Sequence, residues 1–139
     1  LKVYDDAIPV LNRLSAKGLR LGIVTNGYRE EVDSIFESLS EAGKADGRLS
    51  TGMFSVIVGR DTAGACKPDP RPFLHAAGTL GLRPEEIMFV GDRYDKDYVG
   101  SQAAGMVPVL IQREGKLPAG VPRDITKIRT MDELVNLVG

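Results

Sequence analysis

Ile8, Leu11 and Leu14 recur at helical spacing and stop before Gly18, which predicts an amphipathic helix with a glycine stop. The apolar run from Leu19 to Thr25 predicts a strand, and Val32, Ile35, Phe36 and Leu39 mark a second helix. Residues 40–52 are polar and punctuated by glycine, a longer loop than most. Met53 to Gly59 predicts a strand, and Phe73, Leu74, Ala77 and Leu80 form the apolar stripe of a helix closed by Gly81. Ile87 to Val90 is the next expected strand; a short helix through Val99, Ala103 and Ala104 then leads past Gly105 to a strand at Pro108 to Ile111. Gly115, Pro118, Gly120 and Pro122 make 113–123 a loop. Ile125 to Ile128 is an expected edge strand, and Met131, Leu134, Leu137 and Val138 a closing helix.

Such alternation implies an α/β fold with parallel strands, right-handed crossovers and helices on both faces. Ligands of these sheets bind beyond the carboxyl ends of the strands, where strand order reverses. Three segments carry chemistry, two of them at strand ends. Ile87 to Val90 runs into Gly91-Asp92, with Asp97 five residues further on. Mg²⁺ commonly takes one or two carboxylates together with phosphate oxygens and water, although acids after a strand also cap helices. The strand at Leu19 ends in Thr25-Asn26-Gly27. A hydroxyl and two backbone N–H groups at a helix start suit an anion, while the same tripeptide is common turn chemistry. Lys67 stands in Ala65-Cys66-Lys67-Pro68-Asp69-Pro70, where proline fixes the backbone and suits the first helical turn.

In order and interval, these three segments resemble the haloacid dehalogenase (HAD) superfamily of phosphohydrolases, and the resemblance extends over nearly the whole chain. Thr25 matches the second motif of that family, Lys67 the third, and Gly91-Asp92 with Asp97 the fourth. The resemblance implies a Rossmann-like core in which Thr25, Asn26, Gly27 and Lys67 bind the transferring phosphoryl group. It assigns catalytic roles to Thr25 and Lys67, with Lys67 also offsetting carboxylate charge, and an Mg²⁺ site to Asp92, with Asp97 in its first or second shell. The implied reaction is attack of an aspartate on a phosphomonoester, followed by hydrolysis of the aspartyl-phosphate.

One departure qualifies that likeness. The first motif of the family, Asp-x-Asp-x-Thr/Val on the first strand, is absent. Asp5-Asp6 is the early acidic pair, but the acids are adjacent and Ala7-Ile8-Pro9 follows; both are expected at the entry of the first helix, favoured by its macrodipole. Residues 1–139 therefore read as the part of a HAD core that follows the cap, lacking the first central strand. In the family that strand lies between those bearing Thr25 and Asp92, so its absence leaves two strands facing a gap unless another segment fills it or the sheet rearranges. The post-cap likeness is to the phosphoglycolate phosphatase and β-phosphoglucomutase branch, which implies small phosphorylated metabolites as substrates. A chain without its nucleophile is expected to be inactive alone.

Other classes fit less well. A dehalogenase needs no metal and lacks the acids at Asp92 and Asp97. A receiver domain requires a phosphoacceptor Asp on a strand between the acid pair and the Thr, and none stands between Asp6 and Thr25. A noncatalytic HAD-like domain that binds phosphorylated ligands or partners is the alternative left by the missing motif. A net charge of −1 gives no basic footprint for nucleic acid, and no membrane-length apolar run or signal peptide is present. The single cysteine, Cys66, fits a reducing cytoplasm and is expected to be a small packing residue. The one histidine, His75, falls on a helix with no partner indicated.

Overall fold

The computed structural model describes residues 3–41 and 53–138. Among the described residues, six α-helices and five strands follow one another: α1 (Ala7–Ala16), β1 (Gly22–Val24), α2 (Arg29–Glu41), β2 (Val56–Val58), α3 (Arg60–Ala63), α4 (Pro70–Leu80), β3 (Met88–Gly91), α5 (Val99–Ala103), β4 (Val107–Ile111), β5 (Lys127–Ile128) and α6 (Asp132–Leu137). A 3₁₀ turn at Pro84–Glu86 precedes β3 and a π-helical turn at Tyr94–Tyr98 precedes α5. The strands are shorter than the apolar runs suggest, because Leu19 to Leu21 and Met53 to Ser55 lie outside the paired ladders. The loop expected at 40–52 falls largely outside the described residues, and α3 and the π turn carry no sequence pattern long enough to announce them.

All strand pairs are parallel, but the sheet is split. β1 pairs with β2 in one sheet, and β3, β4 and β5 form another in that order. Among the described residues, β1 and β3 each have a strand neighbour on one side only. A single parallel sheet is thus replaced by two ribbons flanking the place of the missing central strand. The burial pattern agrees. Val56, Ile57 and Val58 of β2 are fully buried, whereas Ile23, Val24 and all of β3 are only half-buried. A groove of about 670 Å³ separates the ribbons, lined on one side by Gly22 and Ile23 and on the other by Val90, Gly91 and Asp92.

Two helices span the split. The α1 residues Val10 and Leu14 pack with Val109, Ile128 and Leu134 under the three-stranded ribbon, while Ile8 and Leu11 pack with Phe36 and Ile57 under the two-stranded one. On the opposite face, α4 sends Phe73 and Ala77 against Phe89 and Met106, and Ala76 against Val56 and Val58. Alternation along β3 supports this layering, since Met88 and Val90 join the α1 face and Ile87 and Phe89 the α4 face, as the period of two requires. The α4 helix starts where its sequence demands: the Asp69 side chain accepts from the Arg71 N–H at 2.9 Å, and Pro70 takes the first turn. No helix among the described residues is long and apolar enough to cross a membrane.

Candidate active site

The ends of β1 and β3 meet at Lys67. Its ammonium donates to the Val24 carbonyl at the end of β1 (3.2 Å) and to Asp97 Oδ1 (2.7 Å). It also lies 5.5 Å from the centre of the Phe89 ring. The pair is well sequestered, with 12% of the Lys67 side chain and 6% of the Asp97 side chain exposed. Two charges in so dry a place must satisfy each other, because an unpaired one costs several kcal/mol, roughly 3–5 when a partner is removed.

The backbone of Lys67 is held as firmly as its head group. Asn26 Oδ1 accepts from the Lys67 N–H at 2.7 Å, and Asn26 Nδ2 donates to the Lys67 carbonyl at 3.2 Å. The Asn26 side chain thereby clamps the lysine loop to the turn after β1. The Gly27 N–H donates to Thr25 Oγ1 at 3.0 Å, so the hydroxyl and that amide form a local turn. The Thr25 hydroxyl proton is left to donate elsewhere. Two-residue contact between distant loops is a tertiary event, and sequence spacing could not reveal it.

On the β3 side, the π turn folds Asp97 back over the strand end. Asp97 Oδ2 accepts from the Arg93 N–H at 3.1 Å, and its own N–H donates to the Arg93 carbonyl at 2.8 Å. A Cβ on Gly91 would stand 2.3 Å from Asp97 Cβ, so glycine is required there by close approach. Single π turns of this kind recur at functional sites. Asp92, one residue on, is exposed and has no hydrogen-bond or ion-pair partner among the described residues. The two acids expected at a metal are therefore unlike: one buried and fully engaged, the other a free carboxylate at the strand end. No group of three or more His, Cys, Asp or Glu side chains able to hold a metal occurs among the described residues. One or two carboxylates completed by phosphate and water suit Mg²⁺.

Asp5 and Asp6 make no hydrogen bond or ion pair with Thr25, Lys67, Asp92 or Asp97 among the described residues. Asp6 occupies the N-cap position of α1 but makes no side-chain cap bond. Its carboxylate takes a two-bonded fork from Arg113, both contacts 2.9 Å, and accepts from the Met131 N–H at 3.0 Å. The hydrogen bonds from Arg113, chiefly, hold the Asp6 carboxyl below the usual aspartate range despite partial burial. Asp6 is thus a helix-entry acid whose partners are tertiary rather than the helix dipole. Cys66 is half-buried with its Sγ 3.2 Å from Arg60 Nη2, and His75 is exposed on α4. A second cavity, of about 710 Å³, lies beside Lys116, Arg123 and Lys127, and none of the expected site residues lines it.

The family model for haloacid dehalogenase-like hydrolases matches residues 1–105. The chain belongs to that family. It is 40% identical over 124 residues to a glyceraldehyde 3-phosphate phosphatase of Methanopyrus kandleri, covering 89% of this chain and 49% of that protein. It is 40% identical over 103 residues to a phosphoglycolate phosphatase of Salmonella choleraesuis, covering 74% of this chain and 37% of that one. A crystal structure of a HAD phosphatase from Thermococcus onnurineus superposes with a TM-score of 0.79 at 35% identity, covering 99% of this chain and 59% of its own. The chain therefore spans about half the length of the relatives it matches, which accords with a core whose central strand position is open.

Proposed function

We propose that this chain forms the phosphate- and metal-binding half of a Mg²⁺-dependent phosphatase acting on small phosphorylated metabolites, of the class that the names of its relatives indicate. The observation that carries the reading is Lys67, whose ammonium joins the end of β1 to Asp97 behind the end of β3. A cation fixed between two strand ends, on a loop that Asn26 clamps to the turn bearing Thr25, suits a transferring phosphoryl group, for which positioning and charge neutralisation are most of catalysis. Asn26 holds the lysine loop in register, and Gly27 contributes the turn on which Thr25 is presented. Asp92 would hold Mg²⁺, while Asp97, engaged by the Lys67 ammonium and the Arg93 N–H, would keep Lys67 in place. When bound, the ion offsets charge on the phosphoryl oxygens.

The covalent half is assigned to a strand that occupies the groove between β1 and β3. A parallel strand there would satisfy both open edges and deliver an aspartate beside Lys67 and Asp92. A carboxylate nucleophile divides one difficult displacement into two easier ones. On this reading residues 1–139 are the post-cap portion of the core, working in the cytoplasm in a longer protein.

The test compares the chain alone with the same chain preceded by a strand carrying Asp-x-Asp. With p-nitrophenyl phosphate and Mg²⁺, the chain alone should show no turnover, and the extended form should turn over. Hydrolysis by the chain alone that disappears on replacing Asp5 or Asp6 would overturn the assignment. Phosphate binding without turnover in the extended form would favour the noncatalytic alternative.

A further inference from the structure

The cavity of about 710 Å³ runs along β5, the strand of its ribbon furthest from the groove between β1 and β3. Its walls are built by tertiary bonds. Arg129 Nη1 donates to the Gly115 carbonyl at 2.8 Å and to the Gln112 carbonyl at 3.3 Å, folding the segment after β4 back over the end of β5. The Gln112 N–H donates to the Ile128 carbonyl at 2.8 Å, and the Thr126 N–H to the Tyr98 hydroxyl at 3.2 Å. The loop between β4 and β5 is thus anchored at both ends, and a cavity with fixed walls receives a ligand at a lower entropic cost than one the ligand must order.

The charge on those walls is one-sided. Lys116, Arg123, Lys127 and Arg129 line the cavity, and Glu133 is the one acid among its lining residues. Glu133 Oε2 is itself engaged by the Arg129 and Thr130 N–H groups at the start of α6. None of the four cations pairs with a carboxylate among the described residues, and the side chains of Lys116, Arg123 and Lys127 make no hydrogen bond there. Lys17, Arg20, Arg60 and Lys96 also lack a carboxylate partner, but none of them lines this cavity. What sets the four apart is convergence on one concave site, in a chain whose net charge is −1. Like charges around a concavity focus their field and attract a counter-ion. Leu117 and Val121 lie half-buried along the same walls, so part of the lining is apolar.

We propose that this cavity is a second ligand site, separate from the candidate active site, and that it binds an organic polyphosphate. The phosphates meet the cations, and the organic body lies against Leu117 and Val121. A nucleoside triphosphate has that chemistry. A concave site of this volume suits a small molecule rather than the broad surface of an acidic macromolecule. Arg123 comes from the loop and Lys127 from β5, so two elements carry the charge; arginine offers a planar fork to phosphate oxygens and lysine a point charge.

Titration calorimetry on the full chain, in EDTA so that no divalent ion draws phosphate to Asp92, tests this with adenosine triphosphate (ATP), adenosine and tripolyphosphate as probes. ATP should bind roughly tenfold tighter than adenosine, the scale of a charge-assisted contact, and tighter than tripolyphosphate. Arg123→Gln combined with Lys127→Gln should weaken ATP binding by roughly tenfold or more on the same scale. A charge-matched control, Lys17→Gln with Arg20→Gln, should leave it unchanged. All four side chains are exposed, so circular dichroism should show both variants folded. In the native chain, added NaCl should weaken ATP binding, a readout that needs no variant. The proposal is overturned by absence of ATP binding, by insensitivity to salt, or by an Arg123 and Lys127 variant that binds ATP as the native chain or the control does. Tripolyphosphate binding as tightly as ATP would overturn the organic class assigned to the ligand. Binding of a single-stranded oligonucleotide without binding of ATP would overturn it in favour of an extended polyanion. Thr25, Lys67, Asp92 and Asp97 do not line the cavity, so failure here leaves the phosphatase reading standing.

Discussion

Lys67–Asp97 and Arg113–Asp6 are both short, partly or largely sequestered ion pairs between residues far apart in sequence, at 2.7 and 2.9 Å. They serve different ends, and their hydrogen bonding shows why. Arg113 spends its fork on Asp6, whose remaining capacity is taken by the Met131 N–H; the result is a closed knot joining α1, the segment after β4 and the start of α6. Lys67 is a point charge at a strand-end crevice, held by an acid that is itself held by a π turn. A planar fork matched to one carboxylate is complete in itself. An ammonium with three rotatable donors, two of them placed, can accept a further ligand.

The largest effect expected is at Lys67. In a form of the protein carrying the groove strand, Lys67→Met should lower kcat by about 10²–10³, the cost of removing one preorganised donor, and should destabilise the fold by about 3–5 kcal/mol through the stranded charge on Asp97. Steady-state kinetics and urea unfolding measure the two together. If activity survived with the fold intact, the Lys67 pair would prove to be as purely structural as the Arg113 pair.

Gly91→Ala comes next. The added methyl meets Asp97 atoms at 2.3–2.4 Å, and crowding of that kind costs about 1–3 kcal/mol. The variant should lose phosphate affinity as well, since Asp97 cannot move without releasing Lys67. A chain of native stability and phosphate affinity would mean that Asp97 does not position the lysine.

Arg113→Met sharpens the comparison from the other side. It should cost about 1–3 kcal/mol of stability, the range for a buried group losing a charged hydrogen-bond partner, with phosphate affinity unchanged. The pH dependence has a fixed sign. The Asp6 carboxyl is held below its ordinary value of about 3.9 mainly by the hydrogen bonds from Arg113, so its stabilisation is present above that pH and is lost as pH falls through the lower folded value. Acid unfolding monitored by circular dichroism should therefore show a shallower decline in Asp6→Asn than in the native chain. Equal slopes would take Asp6 out of the acid response.

The smallest effect on stability belongs to Asp92→Asn. The carboxylate is exposed and free of partners among the described residues, so stability should stay within about 0.5 kcal/mol. Mg²⁺ affinity should nevertheless fall by roughly tenfold or more, judged against the losses seen even for groups that only support a metal ligand. Calorimetric titration with Mg²⁺ separates the two, and unchanged affinity would remove Asp92 from the metal site.

The sequence by itself determined the element types and the edge at which chemistry gathers. Helical spacing at Ile8, Leu11 and Leu14, apolar runs before Thr25 and Asp92, and the Asp69-Pro70 helix start are local signals, set by periodicity and backbone preference within a few residues. The family, too, was legible, because three short motifs in a fixed order are carried in one dimension. Only the tertiary structure decided that the sheet opens into two ribbons, that Asn26 clamps Lys67 by its side chain, that Asp97 is buried against Gly91, and that Asp6 answers to Arg113 rather than to its helix. Each of these depends on which distant groups meet, and in a low-dielectric interior a polar group takes whichever partner the fold brings within about 3 Å. The gap itself follows the same physics: α1 and α4 bury apolar surface on both ribbons and hold them in place, so the helices on the two faces fix a sheet geometry that the strands do not complete.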